Sequence, residues 1–442
     1  MKKRRQRLPA GTPTVEIERL SHEVRGIGQV KGKTVFVDNA LPGETVRIAY
    51  TASRSKFAEG VAREILHASP DRCLPRCRHF DTCGGCALQY MEPAAQIAAK
   101  QDILCDQLRR FAGIEVPEIL PPLAAAPYGY RRKARLGIRA SRSRGVVLGF
   151  REKRSNNLTP ISECPIMPES FAAKIPALAN LIRECEGRAG FAHLEVAIGE
   201  DATGLVLRHL QPLSEKDLAL WLAFAQANSF HLYLQPGGAD SAHRVWPDGQ
   251  RERLHYQLPE FSLELGFHPL DFIQVNFAIN RQMVSRAVEL LDIRPGERVL
   301  DLFCGLGNFT LPLARRAAQV VGVEGAPELL ARARENAVRN GVDNVQFHAA
   351  DLTADITSRP WAKAGFDKIL IDPPRTGAIE VIRELARFGA EKVVYVSCNP
   401  ATLARDTAEL EKLGYRLARA GVMDMFPQTT HVESIALFER AT

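Results

Sequence analysis

The stretch ERVLDLFCGLGNFTLPLARRAAQVVGVE, residues 297–324, decides the fold of the C-terminal part of the chain. An apolar run stops at a glycine-rich turn, a helical segment follows, and a second apolar run ends at Glu324. A buried strand that leads through a glycine turn into a helix, and then into another strand, is one unit of a parallel sheet. The stretch therefore predicts an α/β domain.

The same alternation continues towards the end of the chain. Three more apolar runs follow at 344–351, 366–372 and 392–398, with helical stretches such as APELLARARENAVRNG between them. Strands and helices that alternate in this way form a parallel sheet with helices on both faces, and ligands bind outside the carboxyl ends of its strands. The runs end in Asp or Cys, so we expect the functional site at that edge of the sheet.

The glycine turn indicates which ligand binds. Gly305 and Gly307 allow the backbone to approach a ligand, but Thr310 stands where the dinucleotide-binding fingerprint has its third glycine. Glu324 is placed to hold two ribose hydroxyls, and Asp351 ends the third run, where a carboxylate can accept the exocyclic amine of an adenine. A ribose and an adenine without a pyrophosphate indicate S-adenosylmethionine rather than NAD.

Residues 14–66 have a different pattern, in which short runs alternate apolar and polar residues. The runs are separated by Gly26, Gly28, Gly32 and Pro42 with Gly43. This pattern predicts period-two strands joined by tight turns, and so a small barrel. Residues 94–112 carry Ile97, Ile103, Leu104, Leu108 and Phe111 at roughly helical spacing, which predicts an amphipathic helix that packs on a core.

Positive charge is concentrated in two parts of the chain. Residues 1–66 hold 13 Lys and Arg against 7 Asp and Glu, and residues 128–154 hold 10 against 1, although the net charge of the chain is only +7. Such segregation predicts a polyanionic partner, because Lys and Arg that neutralise phosphates release counterions. The second block also contains Tyr128, Tyr130 and Phe150, which can stack on bases. For the N-terminal MKKRRQR, a solvated tail is an equal alternative.

The motif IDPPRTG at 371–377 bears on the reaction. Methyltransferases that act on exocyclic amines place an aromatic residue after the two prolines to stack on the base, and here Arg375 stands at that position. This departure disfavours methylation of an amine, which stays open as one alternative. A non-catalytic RNA-binding protein is the second alternative.

Several motifs together resemble those of the RNA uracil-C5 (5-methyluridine) methyltransferase family. They are DLFCGLGNF at 301–309, VGVEGAPE at 321–328, IDPPRTG at 371–377, YVSCNPATLARD at 395–406 and FPQTTHVESIALFER at 426–440. FIQVN at 272–276 also matches the segment before the family's cofactor domain. The resemblance covers nearly the whole chain.

The resemblance implies three domains. Residues 11–67 would form a TRAM barrel, an RNA-binding module of the oligonucleotide-binding type. Residues 68–262 would form a central α+β iron-sulfur domain, whose helix at about 93–116 packs on the catalytic domain. Residues 263–442 would form a Rossmann-like S-adenosylmethionine methyltransferase domain.

The resemblance also implies a mechanism. Cys398 would be the nucleophile that adds to carbon 6 of uracil, and Glu433 the base that removes the proton from carbon 5. His431 is a competitor for proton transfer. The residues implied to contact S-adenosylmethionine, or to lie beside it, are Gln274, Phe303, Asn308, Glu324, Asp351 and Asp372. Asp372 is also a candidate contact of the uracil edge.

A cluster of cysteines lies at the start of the central domain, just after the barrel. Cys77, Cys83 and Cys86 have the spacing C-x5-C-x2-C, and the resemblance adds Cys164 as the fourth thiolate of a [4Fe-4S] cluster. Cys73 would instead complete a local set of four that suits a tetrahedral zinc ion, so zinc stays open as an alternative. We expect the cluster to order the RNA-binding domain and not to transfer electrons in the reaction.

The expected function is transfer of a methyl group from S-adenosylmethionine to carbon 5 of a uridine in 23S ribosomal RNA. Within the family, a TRAM domain together with a cysteine cluster is most similar to that enzyme, and a transfer RNA uridine is the alternative target. The chain has no signal-peptide pattern and no run of about 18 apolar residues, so we expect a cytoplasmic protein that binds RNA and no membrane. No obligate protein partner is implied.

Overall fold

The computed structural model describes residues 8–9, 11–141, 145–249 and 252–441. The basic stretch MKKRRQR, together with Arg142 and Arg144 of the second basic block, lies outside these residues. Within the described part of the chain, no helix is both long and apolar enough to cross a membrane.

The N-terminal strands close into a five-stranded barrel in the order β1-β2-β3-β5-β4. The strands are β1 (Thr14–Leu20), β2 (Gly26–Val30), β3 (Lys33–Asp38), β4 (Thr45–Ser53) and β5 (Phe57–His67). Alternate residues such as Val35 and Val37 are fully buried inside it, as a period-two pattern requires. The small barrel that the sequence predicts is therefore confirmed.

Two glycines of the barrel do not have the predicted role. Gly26 and Gly28 lie inside β2 and not in a turn. A Cβ atom on Gly28 would stand 2.2 Å from the carbonyl oxygen of Glu16 on the neighbouring strand. Here glycine permits close approach of two backbones, so its presence was wrongly interpreted as a turn signal.

A helix, α1 (Pro93–Gln107), and a short strand, β6 (Glu118–Ile119), follow the cysteine-rich segment. The buried face of α1 combines Ile103 and Leu104 with the polar residues Gln96 and Lys100. Phe111, which was predicted to lie on the apolar face, is 64% exposed because the last turn after α1 widens into a π-helical turn. The helix is therefore buried on a partly polar face.

The central part of the chain forms a seven-stranded sheet in the order β13-β12-β11-β10-β7-β8-β9. Its elements are β7 (Lys133–Ser141), β8 (Gly145–Arg151), β9 (Leu158–Pro160), α2 (Glu169–Ala172), α3 (Ile175–Glu184), β10 (Phe191–Ile198), β11 (Thr203–His209), α4 (Glu215–Ala227), β12 (Phe230–Gln235) and β13 (His243–Trp246). Apolar side chains of one face share a core with helices α2, α3 and α4. A two-stranded ribbon, β14 (Leu254–Leu258) and β15 (Leu263–Phe267), leads to the last domain.

The last domain is built on an eight-stranded sheet in the order β18-β17-β16-β19-β20-β22-β21-β6. Its elements are α5 (Phe277–Leu291), β16 (Arg298–Leu302), α6 (Thr310–Ala314), β17 (Gln319–Glu324), α7 (Pro327–Arg339), β18 (Val345–Ala349), β19 (Lys368–Ile371), α8 (Ile379–Ile382), β20 (Lys392–Ser397), α9 (Pro400–Lys412), β21 (Tyr415–Met423) and β22 (Glu433–Arg440). The strands from β16 to β20 are parallel, and β22 is antiparallel to β20.

Both faces of this sheet are covered. On β20, Val394 and Val396 belong to one hydrophobic core, while Val393 and Tyr395 belong to the core on the other face. A continuous apolar run is what a strand buried on both faces needs. Strand order reverses between β16 and β19, which is where ligands bind in such sheets.

The cysteine-rich half of the chain is attached to this sheet. Strand β6 extends it by pairing in parallel with β21, and α1 packs beside β21 and α9. Residues of α1 share a core with the strands of the sheet. Residues 93–119 therefore pack with the C-terminal sheet, although they precede the central sheet in sequence.

Candidate active site

The strand ends bring the predicted site residues to one edge of the sheet. Leu302 pairs with Val323 on one side and with Ile371 on the other, so Phe303, Glu324 and Asp372 lie at or just beyond neighbouring strand ends. The parallel registers place the end of β18 and the end of β20 at the same edge.

Cys398 and Glu433 come together across a single strand pair. Ser397, the last residue of β20, is paired with Ser434 of the antiparallel strand β22. Cys398 follows the first of these residues and Glu433 precedes the second, so the two side chains belong to adjacent positions at one strand end. Asn399 then caps α9 by accepting a hydrogen bond from the amide of Ala401.

The site holds three acidic groups whose ionisation is linked. Burial raises the pKa of the Cys398 thiol to about 11, and Glu433 and Asp372 add to that rise while Arg375 opposes it. Burial likewise raises the pKa of Glu433 to about 8, with Asp372 as the second cause. Burial raises the pKa of Asp372 to about 7. A carboxyl group with a pKa near neutrality is suited to accept a proton.

Arg375 and His431 form the exposed side of this group. The guanidinium of Arg375 donates to Nδ1 of His431, which fixes that nitrogen as an acceptor. Burial, and after it the charge of Arg375, lowers the pKa of His431 to about 4. The imidazole is therefore neutral, and one of its nitrogens is already occupied. The backbone oxygen of Arg375 accepts from Asn399 and Thr402 at the start of α9.

The predicted ribose and adenine contacts lie beside the glycine turn. The two oxygens of Glu324 accept hydrogen bonds from the amides of Gly305 and Ala326, at 3.1 and 3.0 Å. A carboxylate has about four acceptor sites, so it can still bind two hydroxyls. Asp351 is exposed two residues beyond β18, and its Oδ1 accepts from the amide and the hydroxyl of Thr353. These bonds lower the pKa of Asp351 and leave Oδ2 without a partner among the described residues.

Three further predicted residues have different surroundings. Phe303 adopts a φ of 64°, a left-handed conformation that is strained for a non-glycine residue and is common at functional sites. Asn308 exchanges two hydrogen bonds with Asn280 and also accepts from Tyr256, so its Oδ1 has two donors while its Nδ2 uses one of its two N–H groups. Gln274 is half-buried on the segment before α5.

Asp301 is a residue of the site that the sequence reasoning missed. It lies fully buried in β16, where burial raises its pKa to about 8. Its Oδ2 accepts from the hydroxyl of Thr310, while its Oδ1 has no partner among the described residues. Thr310, which stands in place of the third glycine of the dinucleotide-binding fingerprint, thus donates a hydrogen bond to the Asp301 carboxyl group. The available signal was the pair of polar residues, Asp301 and Thr310, at the two ends of the motif DLFCGLGNFT.

Four cysteines line one cavity of about 340 Å³. Cys77, Cys83 and Cys86 come from one loop, and Cys164 comes from the segment after β9. Burial raises the pKa of Cys164 to about 12, and the other three thiols add to the rise. Among the described residues, no three His, Cys, Asp or Glu side chains converge closely enough to bind a single metal ion as they are placed.

Cys73 does not belong to this group. Its thiol donates to the backbone oxygen of Gln89 at 3.4 Å, and the charged groups that affect its pKa are Glu92 and Arg72. The cavity is instead closed by Thr429, Thr430 and His431 of the segment that precedes Glu433, together with other residues. The local four-cysteine set that would suit zinc is therefore not assembled.

One face of the central sheet carries the basic block. Ala134, Leu136 and Ile138 of β7 point into the core, so the odd-numbered positions face the other side. Arg135 and Arg139 are exposed on that side. On β10, His193 and Glu195 pair with Gly137 and Arg135, and on β11 Arg208 pairs with His193, so these residues lie on the same face. On β8, Arg151 lies two residues beyond Gly149, which pairs with Gly137.

The aromatic residues of the basic block are not on this face. Tyr130 is 6% exposed and donates to the backbone oxygen of Pro427, so the prediction that it stacks on bases is wrong. Phe150 is half-buried and lines the cysteine cavity. Tyr128 is half-buried beneath the guanidinium of Arg76. Alternation along β8 directs the Phe150 ring away from the exposed cations, whereas Tyr128 and Tyr130 lie in the segment before β7.

Comparison with known proteins agrees with this geometry. The family described as tRNA (Uracil-5-)-methyltransferase matches residues 262–441, and the TRAM domain family matches residues 10–62. The chain is 51% identical over 441 residues to the 23S rRNA (uracil(1939)-C(5))-methyltransferase RlmD of Alcanivorax borkumensis, which covers 100% of this chain and 99% of the relative. It is 50% identical over 446 residues to the protein of the same name from Hahella chejuensis, with 100% of both chains covered.

A solved structure also matches nearly the whole chain. The tRNA (uracil-54, C5)-methyltransferase of Pyrococcus abyssi, in complex with S-adenosyl-L-homocysteine, has a TM-score of 0.74 and 25% identity. The match covers 96% of this chain and 99% of that one.

The sheet order, the acidic strand ends and the glycine turn define a methyltransferase that uses S-adenosylmethionine. The chain belongs to the RNA uracil-C5 methyltransferase family. Its N-terminal barrel is a TRAM domain. The family, the cofactor and the α/β fold that the sequence predicts are therefore confirmed.

Proposed function

We propose that this protein transfers the methyl group of S-adenosylmethionine to carbon 5 of a uridine in 23S ribosomal RNA. The observation that carries the reaction is the pairing of β20 with β22, which brings Cys398 and Glu433 to one strand end. The RNA target is supported by two relatives of about 50% identity over the full chain, both named as 23S ribosomal RNA enzymes. Its place of action would be the cytoplasm.

Carbon 5 of uracil is too weak a nucleophile to take a methyl group unaided. The Cys398 thiolate forms a bond to carbon 6, and the displaced electron pair makes an enolate whose carbon 5 is nucleophilic. Carbon 5 attacks the sulfonium methyl group, and the bond between methyl and sulfur breaks to leave S-adenosylhomocysteine. The product at this stage is a methylated uracil still bound to the enzyme.

Glu433 completes the reaction by removing the proton from carbon 5. The electrons of that bond restore the double bond between carbons 5 and 6, and the bond from carbon 6 to Cys398 breaks. A pKa of about 8 makes the ionised Glu433 a stronger proton acceptor than an ordinary carboxylate, and a fraction of the carboxyl groups is ionised at physiological pH. His431 is less suited, because it is held by Arg375 and its pKa is about 4.

The cofactor site would use the residues gathered at the strand ends. Glu324 would bind the ribose hydroxyls, and the free oxygen of Asp351 would accept the adenine amine. Gln274, Phe303 and Asn308 would contact the cofactor or lie beside it. Asp372 lies between this site and Cys398, so it would border both the cofactor and the uracil.

We also propose a [4Fe-4S] cluster bound by Cys77, Cys83, Cys86 and Cys164. Four thiols that line one cavity are the donor set of such a cluster, and each would bind a different iron, so they need not converge on one point. Bound there, the cluster would supply a rigid link between the loop of the first three cysteines and the segment of the fourth.

The proposed domains are the TRAM barrel at 11–67, the cluster domain at 68–262 and the catalytic domain at 263–442.

RNA would bind across the exposed cations of the central sheet and the barrel. Arg131, two residues before β7, lies over the ring of Phe426 in the segment that leads to Glu433, with its guanidinium 5.9 Å from the ring centroid. Arg135 and Arg139 continue along the same strand. A phosphate backbone that follows these residues would arrive at the catalytic edge.

The reaction is tested by measuring methyl transfer from labelled cofactor to ribosomal RNA with Cys398→Ala and with Cys304→Ala as the control. We expect Cys398→Ala to abolish transfer, and we expect the buried Cys304→Ala variant to keep it. Transfer by Cys398→Ala would favour an amine methyltransferase, and RNA binding without any transfer by the wild type would favour a non-catalytic protein. Mass mapping of 5-methyluridine in ribosomal and transfer RNA identifies the target.

A further inference from the structure

The segment from Asp424 to Val432 is held by residues that are far away in sequence. It begins after Met423 and ends before Glu433, and these two residues are paired across β21 and β22. Glu433 is therefore the first residue of the strand on which this segment closes. Any displacement of the segment therefore moves Glu433, the proposed base.

Helix α1 holds the segment through two buried polar side chains. The ammonium of Lys100 donates to Oδ1 of Asp424 at 2.7 Å and to the backbone oxygen of Phe426 at 3.1 Å. Gln96 exchanges two hydrogen bonds with Gln428, one with its amide at 2.9 Å and one with its side chain at 3.0 Å. Lys100 and Gln96 are each 1% exposed.

The cysteine loop holds the same segment from another side. The amides of Ala87 and Leu88, next to Cys86, both donate to the backbone oxygen of Gln428, at 2.8 and 3.0 Å. Gln428 has a φ of 67°, so its backbone adopts a conformation that needs support from its surroundings. Thr429, Thr430 and His431 then form part of the wall of the cysteine cavity.

These contacts fix the conformation of the segment and contribute little to the stability of the fold. A buried ion pair such as Lys100 with Asp424 adds little net stability compared with apolar residues of the same size, because both charges lose their hydration. Polar partners with fixed directions do specify one arrangement of a loop. The segment also carries the ring of His431 against Phe426, at 5.1 Å between centroids, so its conformation sets one side of the catalytic group.

We propose that Lys100 and Gln96 are positioning residues for Glu433. They hold residues 424–432 in the arrangement in which the carboxylate reaches the proton on carbon 5, and so the cysteine-bearing half of the chain controls the last step of the reaction. The proposal rests on the assignment of Glu433 as the base. Cys398 directly follows β20 and is not held by this segment, so addition to carbon 6 and methyl transfer do not depend on it.

The test separates two steps in one turnover. The double variant K100M/D424N removes both charges with side chains of similar size, so no buried charge is left unpaired. The matched control is R110M/D106N, which removes an exposed ion pair from the end of the same helix, where Arg110 and Asp106 lie 2.8 Å apart. Labelled cofactor reports methyl transfer, and RNA with tritium on carbon 5 of uridine reports proton release.

For K100M/D424N we expect methyl transfer in the first turnover to stay within about threefold of the wild type. Tritium release falls by about 10- to 100-fold, since a misplaced base loses that much, and a methylated covalent adduct accumulates on denaturing gels. The control variant shows neither change. Equal losses in both steps, or no loss in either, overturn the proposal.

A second variant keeps the test informative if the first does not fold. Gln96→Met removes the bonds to Gln428 without touching a charge, and we expect the same separation of the two steps. Circular dichroism of each variant establishes that the fold is retained. If Cys398→Ala remains active, the proposed function itself fails, whereas an inactive Cys398→Ala with no separation in K100M/D424N overturns only the role of Lys100 and Gln96.

Discussion

At the scale of single residues, the pKa values of Cys398 and Glu433 are raised by burial and lowered by one exposed cation, Arg375. Burial favours the protonated forms of the Cys398 thiol and the Glu433 carboxyl in the free protein, and the positive charge of Arg375 opposes this effect in both cases. Addition to carbon 6 needs a thiolate, and removal of the proton needs a carboxylate. Both steps therefore become faster as pH rises towards the pKa values of about 8 and about 11.

Replacement of Arg375 by Met should shift this pH dependence. Without the guanidinium the pKa values of Cys398 and Glu433 both rise, so the rising limb of the rate against pH moves to higher pH by about one unit. At pH 7.5 the rate should fall about tenfold and recover in part at higher pH. Single-turnover methyl transfer between pH 6 and 9 measures the shift, with Arg383→Met as an exposed control. A uniform loss at every pH would contradict this role.

At the scale of elements, the sequence indicated most strands because their alternation is a local property. Strands β1, β3, β4 and β5 and the five parallel strands of the last domain coincide with the apolar runs. Strand β2 was missed because its glycines serve a contact with β1, which is a tertiary fact. The polar face of α1 could not be predicted either, since its partners Asp424 and Gln428 lie more than 300 residues away.

The site shows the same division between local and tertiary information. Motifs were sufficient to predict Cys398, Glu433 and Glu324 as site residues, because each of them lies in a motif at the end of a recognisable strand. Asp301 was missed because only the fold makes it a buried carboxyl group with an orphan oxygen. The prediction that Tyr130 stacks on bases failed because its ring is buried and its hydroxyl bonds to Pro427, almost 300 residues away in sequence.

Strand β7 should be an element of RNA affinity. We expect the double variant R135Q/R139Q to weaken binding of a ribosomal RNA fragment, because it removes two candidate phosphate contacts. The slope of log affinity against log salt should fall by about two over roughly 50 to 200 mM salt. Filter binding measures this, and the variant R183Q/K216Q, which changes exposed cations on the helical side of the same domain, should leave it unchanged. Equal effects of the two double variants would show that only net charge matters.

At the scale of the whole molecule, three separate parts of the chain meet behind the catalytic edge. The cysteine loop, α1 and the segment just before β7 all contact the segment before Glu433. The expectation that a cluster orders the RNA-binding domain stays a prediction. Thr429 and His431 of the catalytic domain also line the cavity. A cluster bound there would therefore order part of the catalytic domain as well.

The cysteine assignments give a prediction about iron. After anaerobic reconstitution the wild type should hold about four irons per chain. Cys164→Ser should lose most of them, because this thiol is one of the four that line the cavity, whereas Cys73→Ser should keep them. Iron and zinc analysis together with the visible absorption spectrum checks this. Equal iron loss in the two variants, or zinc in the wild type, would contradict the assignment.

The covalent intermediate provides the most direct test of the central claim, which is that Cys398 and Glu433 act on opposite ends of one uracil double bond. Glu433→Gln is incubated with S-adenosylmethionine and a 23S ribosomal RNA fragment, digested, and its peptides are weighed by mass spectrometry. We predict that the peptide with Cys398 carries a methylated uridine nucleotide that survives denaturation. Free 5-methyluridine with an unmodified Cys398, or a nucleotide attached to another cysteine, would contradict the account.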